Sequence, residues 1–273
     1  PVTTATEPEV SAGWLTPITA TNVVIRDPAG EPLLEIDRLS VDRTLSALIA
    51  NRRSLGTIRL ERPTLHAVVL NDGSNIEDAL ARAAEVFSTD VDDQQSSAGL
   101  HYRLDVVDGC VRSRHVSRTQ VWGINAIDAT ILHASTGQLH VELKGEAPPP
   151  AVPQEATREP GRIEVASTEE TPGTRRFRVA CHQFPLGVAE PWLPRFDPTL
   201  QLTGFATGEC QLTMSTDFAS PAVWTDVATG KSSGRLSATG VRISSAALGD
   251  ESITVSQADL AWKGSALEGN LTR

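Results

Sequence analysis

The stretch that decides the fold is LQLTGFATGECQLTM, residues Leu200–Met214. Its even-numbered positions are small or apolar, and its odd-numbered positions are polar apart from Phe205. Because successive side chains of a β-strand point to opposite faces, this alternation predicts a strand with one dry face and one wet face. At about 3.3 Å per residue the strand spans roughly 50 Å, far beyond the usual length of about 5–6 residues. Gly204 and Gly208 allow it to bend or bulge.

The same alternation recurs along the chain. It occupies Leu100–Val106, Leu139–Lys144 and Arg176–His182. Near the C-terminal end it occupies Leu236–Ile243 and Ile253–Trp262, where the apolar phase shifts by one residue, the first time at a glycine. Such a shift predicts a β-bulge. Strands joined by short turns, without helices between them, predict antiparallel pairing in a meander.

Residues 1–90 combine helices with strands. Thr44 is typical of a helix N-cap, and apolar residues follow it at helical spacing. Ser74 or Asn75 caps a second predicted helix, which runs to about Phe87 and carries an apolar stripe. A turn is predicted at Arg62-Pro63. The strands predicted around these features are Asn22–Arg26, Leu33–Val41, Leu55–Leu60 and Thr64–Leu70.

The chain therefore divides into two parts, an α/β module at residues 1–90 and an antiparallel β-segment at residues 91–273. The polar stretch Asp90–Gly99 is predicted to be a linker. Residues 146–160 contain five prolines, which remove backbone donors and predict an exposed loop. Residues 215–234 are predicted to be irregular. The fold class that follows is mainly β.

Charge narrows the range of partners. The chain carries a formal net charge of -10, which argues against a nucleic-acid partner, because phosphate binding needs clustered Lys and Arg. It also argues against unaided docking on an anionic membrane surface. No apolar stretch approaches the roughly 18–20 residues of a membrane-spanning helix.

The sequence contains no recognisable catalytic or metal-binding motif. None of the six histidines lies in an HExxH motif, and no GxSxG, Walker A or Rossmann glycine pattern occurs. We therefore expect a protein without enzymatic activity, cofactor or metal site. The three cysteines, Cys110, Cys181 and Cys210, are interpreted as small apolar strand residues, with a Cys181–Cys210 bridge as the alternative in an oxidising compartment.

Several short motifs resemble AsmA-like and TamB-like proteins of the bacterial envelope. NVVIRD at Asn22–Asp27 is followed by Gly30 and by two short apolar runs that end at Val41, as at the start of those proteins. LGTIRLERPTL at Leu55–Leu65 and NDGSNI at Asn71–Ile76 are similar to the steps that follow in that family. Leu186–Leu193 followed by LQLTG at Leu200–Gly204 resembles a later step.

The resemblance implies a fold and a role. AsmA-like and TamB-like proteins resemble the chorein-type bridge lipid-transfer proteins, in which a long antiparallel sheet curls into a half-pipe with an apolar inner face. Acyl chains are thought to lie in that groove while the head groups stay wet. A phospholipid or another acyl lipid is the implied ligand, with other envelope proteins as further partners. The implied location is the periplasm, with a tether to the inner membrane through a segment absent from this chain.

The alternating runs supply candidate residues for the apolar wall of such a groove. Alternation sends each run to a single sheet face, and neighbouring strands must align their apolar faces. The candidate lipid-binding residues are Leu139, Val141, Leu143, Phe177, Val179, Leu200, Leu202, Ala206, Leu212 and Met214.

Two other interpretations stay open at this point. The apolar face could form the closed core of a two-sheet sandwich, or the sheet edge could dock another protein by strand addition, which would make the chain an interaction scaffold. A hydrolase is the third interpretation, and it requires a compact polar pocket with convergent titratable groups.

Overall fold

A computed structural model shows that the chain is mainly β, with 67% of residues in strands and 13% in helices. Its strands form one open, curled sheet of 13 strands, and their order in the sheet is their order in the chain. The structure describes residues 8–27, 29–88, 101–134, 138–149, 159–171, 174–215, 232–249, 251–263 and 266–272. The predicted fold class is therefore confirmed.

The strands have the following bounds: Glu9–Ser11 (β1), Ile18–Arg26 (β2), Pro32–Val41 (β3), Ser54–Val69 (β4), His101–His115 (β5), Trp122–His133 (β6), Leu139–Ala147 (β7), Gly161–Thr171 (β8), Thr174–Pro185 (β9), Gln201–Ser215 (β10), Ser232–Ser244 (β11), Ser252–Lys263 (β12) and Ala266–Thr272 (β13). Two α-helices and two 3-10 segments connect them: Leu45–Ala50 (α1), Asn75–Ser88 (α2), Leu186–Arg195 and Ala246–Leu248. We call the 3-10 segment Leu186–Arg195 the strap.

Both predicted helices are present. Thr44 Oγ1 accepts a hydrogen bond from the backbone N–H of Ala47 at 3.2 Å, as expected of the α1 N-cap. Ser74, rather than Asn75, caps α2, because its Oγ accepts from the N–H of Glu77 at 3.2 Å. Asn75 instead joins the start of α2 to β4, since its amide bonds two backbone groups of that strand.

One pair of neighbouring strands departs from the antiparallel pattern. β4 and β5 are parallel along their whole length, from Ser54 opposite His101 to Val69 opposite His115. The connection through α2 returns the chain to the end of the sheet at which β4 begins, as a parallel pair requires. This pairing also crosses the predicted boundary at residue 90, so one sheet runs through both predicted parts.

The turn predicted at Arg62-Pro63 is wrong. β4 runs without interruption through both residues, and Arg62 has a φ of 48°. A single left-handed residue inside a strand interrupts the extended backbone without reversing the chain, and the register of β4 with β3 and β5 is kept through Arg62. Arg62-Pro63 therefore marks an irregularity within β4 and not a turn between two strands.

Only parts of the predicted loops lie within the described residues. Residues 146 and 147 belong to β7, and 148–149 and 159–160 have no regular structure, whereas 150–158 lie outside the described residues. The whole of the predicted linker, Asp90–Gly99, and residues 216–231 of the predicted irregular stretch also lie outside them. Both ends of the predicted irregular stretch are strand residues, since β10 includes Ser215 and β11 begins at Ser232.

Left-handed residues lie within most of the long strands and align across the sheet. Asn22 in β2 and Arg62 in β4, for example, both lie opposite Asp37 of β3, because the pairs on either side of them share Ile36 and Arg38. Each left-handed residue interrupts the extended backbone of its strand, so the aligned residues mark one line across the sheet, which we call the crease. Its residues are Asn22, Arg62, Asp108, Ala126, Gln183, Gly204 and Gly240.

The predicted phase shifts coincide with the crease. In β11, Ala238 and Val241 are buried while the two residues between them are exposed. In β12, Val255 and Ala258 show the same pattern, and they pair with Val241 and Ala238. The two strands shift together, so their mutual register is kept.

Candidate functional site

The strap identifies the inner face of the sheet. Its first residue, Leu186, packs against the buried cluster of Ala238, Val241, Val255 and Ala258. Residues that pair directly across neighbouring strands share a face, so the inner face can be followed from this cluster through the register. We use inner face for the side on which the strap lies, and outer face for the other.

One uninterrupted apolar row crosses the inner face from β2 to β13. Each member pairs directly with the next, and at about 4.8 Å per strand the row is roughly 50 Å long. At Gly234 the ring of Trp262 occupies the space that a Cβ would need. The row comprises Ala20, Leu39, Leu60, Val106, Ala129, Leu143, Val165, Val179, Cys210, Gly234, Trp262 and Leu267.

The crease divides the inner face between β5 and β12 into two halves. The strap packs on β5, β6 and β10 and covers the half that contains His115, Trp122 and Val241. The other half we call the open wall, and each of its residues is partly exposed. The open wall comprises Tyr102, Leu104, Val106, Ala129, Ile131, Leu139, Val141, Leu143, Ile163, Val165, Phe177, Val179, Cys181, Cys210, Leu212, Leu236, Leu260 and Trp262.

Partial exposure of so many apolar side chains on one face is unusual for a packed core, in which such residues are fully buried. The one cluster of buried hydrophobic residues in the described chain lies under the strap and does not include the open wall. The described strands form one sheet, so no second sheet of these residues covers the wall. The open wall is thus an apolar surface that the described chain leaves accessible.

The structure brings six of the predicted site residues together on the open wall and places Leu200, Leu202 and Ala206 outside it. Leu202 packs against the cluster under the strap, and Ala206 is only 4% exposed. Leu200 precedes β10, and its carbonyl accepts a hydrogen bond from Arg118 at 3.0 Å. Met214 takes an inner-face register position opposite Arg175, and its side chain is outside the described residues. The six on the wall are Leu139, Val141, Leu143, Phe177, Val179 and Leu212.

Other wall residues were missed from the sequence. Ile163 and Val165 lie on β8, and Ala129 and Ile131 lie on β6. Both strands show period-2 alternation, since charged or polar residues separate these apolar ones. That signal was sufficient to find them, but β8 directly follows the proline-rich stretch, and β6 begins with an unpatterned Trp-Gly.

Hydrogen bonds and an ion pair fasten the strap. The indole Nε1 of Trp122 donates to Glu190 Oε2 at 2.8 Å, and Arg118 lies 3.2 Å from Glu190 Oε1. At the far end of the strap, Arg195 contacts Glu77 of α2 through two nitrogens, at 3.2 and 2.7 Å. The hydrogen bond from Arg195 holds the pKa of Glu77 below its ordinary value of 4.5. The strap is therefore anchored to β6 and to α2.

Charged side chains are concentrated on the outer face, where many form ion pairs. Arg178 lies 2.6 Å from Glu209, and this hydrogen bond lowers the pKa of the Glu209 carboxyl. A shallow hollow of about 360 Å³ on this face contains Arg103 and Asp105, which pair at 2.9 Å. Its lining includes no His, Cys or Ser. Exposed pairs of this kind are typical of a solvated surface.

The cysteines do not form a bridge. Cys110, Cys181 and Cys210 are free thiols, and burial raises the pKa of Cys181 and of Cys210. Cys181 pairs with Gly208 and Cys210 with Val179, so the two thiols lie diagonally on the open wall as small apolar groups. The alternative of a Cys181–Cys210 bridge is not realised.

Two further features, a metal-binding cluster and a membrane-spanning helix, are absent from the described residues. No group of three or more His, Cys, Asp or Glu side chains there is arranged to hold a metal ion. None of the described helices is long and apolar enough to cross a membrane.

No protein-family model matches the chain, and no curated protein matches it. Function is therefore inferred from the geometry of this chain and from its short motifs.

Proposed function

We propose that the open wall holds acyl lipid, and that the chain is part of a bacterial envelope protein of the AsmA-like and TamB-like type. In this proposal the protein holds or conducts phospholipid, or another acyl lipid, in support of lipid transport or outer-membrane assembly. It acts in the periplasm, tethered to the inner membrane, and it is not an enzyme.

The observation that carries the proposal is the uninterrupted apolar row together with the partial exposure of the open wall. A roughly 50 Å row is far longer than the roughly 15 Å of one bilayer leaflet's hydrocarbon, so it can accommodate acyl chains at many positions. Each buried CH₂ contributes about 0.8 kcal/mol, so even half an acyl chain is held usefully. Aliphatic side chains provide this binding free energy without specific hydrogen bonds.

The charge pattern of the sheet agrees with such a ligand. From the crease as far as Val165, Phe177 and Leu212, the inner face of β8 to β10 presents aliphatic, aromatic and thiol side chains, and the buried Ser167 and Arg175 lie beyond them toward the strand ends. Charged groups of β7 to β10, such as Lys144 and Arg178, point to the outer face and pair with Glu164 and Glu209. An acyl chain lying between the crease and Phe177 therefore contacts no charged side chain of these strands, and its head group reaches water at the rim.

A pair of adjacent substitutions tests the proposal. Val165 lies on the open wall, and its neighbour Ala166 is exposed on the outer face between Glu142 and Arg178. In mass spectrometry of organic extracts of the purified proteins, Val165→Asp should lower co-purifying lipid by about tenfold or more, because a charge enters the apolar surface. Ala166→Asp should leave the lipid content unchanged.

Val165→Asp also distinguishes an accessible wall from a closed core, when it is compared with a charge placed under the strap. Val165→Asp should keep the wild-type circular dichroism spectrum, whereas Val241→Asp, in the cluster under the strap, should unfold the protein. Val165→Ser serves as a milder variant. The proposal is wrong if folded Val165→Asp retains as much lipid as Ala166→Asp, or if wild-type extracts contain no lipid.

A further inference from the structure

Three large apolar side chains are exposed in the loop between β1 and β2 and in α1, which connects β3 to β4. Trp14, in the loop between β1 and β2, is 66% exposed, and Leu15 beside it is 86% exposed. Ile49 of α1 is 57% exposed. We call these three residues the tip. Exposure of single apolar residues is ordinary, but a joint cluster that includes a tryptophan indicates an interaction surface.

Hydrogen bonds join the two segments of the tip. The carbonyl of Gly13 accepts from the N–H of Leu45 at 3.4 Å, and the carbonyl of Trp14 accepts from Ser46 Oγ at 2.6 Å. Ile49 follows Ser46 by three positions, so it lies on the same side of α1. The loop is thus held against α1, which places the three exposed apolar residues on adjoining segments.

Arginines adjoin the tip. Arg43 precedes α1, and Arg52 and Arg53 follow it; all three are exposed. Arg43 donates to Ser54 Oγ at 3.2 Å, and no ion pair with a carboxylate is formed by any of the three within the described chain. The nearby Asp42 is engaged by the N–H of Thr57 at 2.8 Å. The local charge is positive although the whole chain carries -10.

We propose that the tip docks on the surface of a phospholipid bilayer that contains anionic lipid. The indole of Trp14 suits the interface, where its apolar ring is buried and its N–H stays wet. Leu15 and Ile49 enter the acyl boundary, and the arginines meet lipid phosphates. Net charge alone argues against such docking, but beyond a Debye length of about 8–10 Å the distant carboxylates are largely screened.

The tip adjoins the rim of the open wall. The carbonyl of Arg53 accepts from the N–H of His101 at 2.8 Å, and Gly56 pairs with Tyr102, the first residue of the wall on β5. A docked tip therefore brings that end of the wall to the bilayer. The docking inference does not depend on lipid binding by the open wall, because the tip residues and the arginines beside them are not part of that wall.

Co-sedimentation of the whole chain with vesicles tests the docking. We use vesicles of phosphatidylcholine alone and of phosphatidylcholine mixed with phosphatidylglycerol. The double variant Trp14→Ser, Leu15→Ser should weaken binding to both by about tenfold or more, because the buried apolar area is lost. The control Phe196→Ser removes an aromatic side chain that is 84% exposed outside the tip, and it should bind as the wild type does.

The arginines are tested separately. Arg52→Gln and Arg53→Gln should each weaken binding to the phosphatidylglycerol vesicles by about fivefold, with little change on phosphatidylcholine alone. Arg235→Gln, an exposed arginine of β11, is the matched control and should have no effect. Added salt should reduce the difference between the two kinds of vesicle.

The inference is overturned if the wild type binds neither vesicle, or if Phe196→Ser loses as much binding as the Trp14, Leu15 variant. It is also overturned if the tip variants change only the oligomeric state, since the tip is then a contact between copies of this chain. Val165→Asp should bind vesicles as the wild type does, which distinguishes a failure of the tip from a failure of the wall. Circular dichroism verifies that each variant is folded.

Discussion

The indole nitrogen of Trp122 lies 2.8 Å from a carboxylate oxygen of Glu190, and this hydrogen bond joins β6 to the strap. The other carboxylate oxygen lies 3.2 Å from Arg118, whose second terminal nitrogen donates to the carbonyls of Pro198 and Leu200. The Glu190 side chain is only 13% exposed. One largely buried carboxylate therefore joins the strap to β6 and to Arg118.

Replacing that carboxylate should destabilise the protein. In Glu190→Ala the indole N–H and the Arg118 guanidinium lose their partner in a mostly buried place, which should lower the free energy of unfolding by about 2–4 kcal/mol. Denaturant unfolding measures the change. Glu142→Ala, at a carboxylate that is 66% exposed, should change stability by less than about 0.5 kcal/mol. Equal effects of the two substitutions would contradict this role for Glu190.

Two glycines of the crease should respond differently to alanine. Gly204 has a φ of 120°, and a Cβ there would lie 3.0 Å from the carbonyl oxygens of Thr239 and Gly240. Gly240 has a φ of 60° with open space around the Cβ position. Gly204→Ala should therefore cost about 2–3 kcal/mol and Gly240→Ala about 1 kcal/mol, measured by denaturant unfolding. A larger loss at Gly240 would be evidence against the bent backbone described at Gly204.

Stability should fall on mild acidification because of His115. Its side chain is buried, Nδ1 accepts from the N–H of Ser117 at 3.2 Å, and Nε2 has no hydrogen-bond partner. Burial, followed by the charges of Arg118 and Arg195, lowers its pKa below the ordinary 6.5. The unfolded chain therefore binds the proton more readily, and stability is lost as the pH falls from 6.5 toward the lowered folded-state pKa.

The histidine is tested by comparing melting temperatures at neutral pH and about pH 5. His115→Gln should lower the melting temperature at neutral pH and reduce its dependence on pH. His140→Gln, at a histidine that is 45% exposed, should leave the pH dependence as in the wild type. A pH dependence that persists unchanged in His115→Gln would assign the effect to other groups.

The period-2 pattern was sufficient to predict the sheet and the sharing of one face by residues such as Leu143 and Val179. It could not predict which part of that face is covered. Leu202 and Leu212 have the same parity in β10, yet Leu202 lies under the strap and Leu212 lies on the open wall. The strap binds through Trp122 and Glu190, 68 residues apart in the chain, and no local pattern reports such a contact.

Only part of the crease could be predicted from the sequence. The phase shift at Gly240 is readable because a glycine permits a left-handed backbone at little cost. At Arg62, Asp108, Ala126 and Gln183 the same conformation is adopted by ordinary residues. No glycine marks these positions in the sequence, and the Pro63 that follows Arg62 favours a turn there. The parallel pairing of β4 with β5 likewise depends on where α2 returns the chain.

The central claim is that lipid occupies the open wall, and photo-crosslinking at two adjacent positions tests it most directly. Leu143 lies in the apolar row of the inner face, and Lys144 beside it is exposed on the outer face. A photoreactive amino acid is placed at either position, the protein is irradiated in cells, and the adduct mass is measured. The account predicts a lipid adduct at position 143 and none at position 144. Equal lipid labelling at both positions, or no lipid adduct at 143 in folded protein, would contradict it.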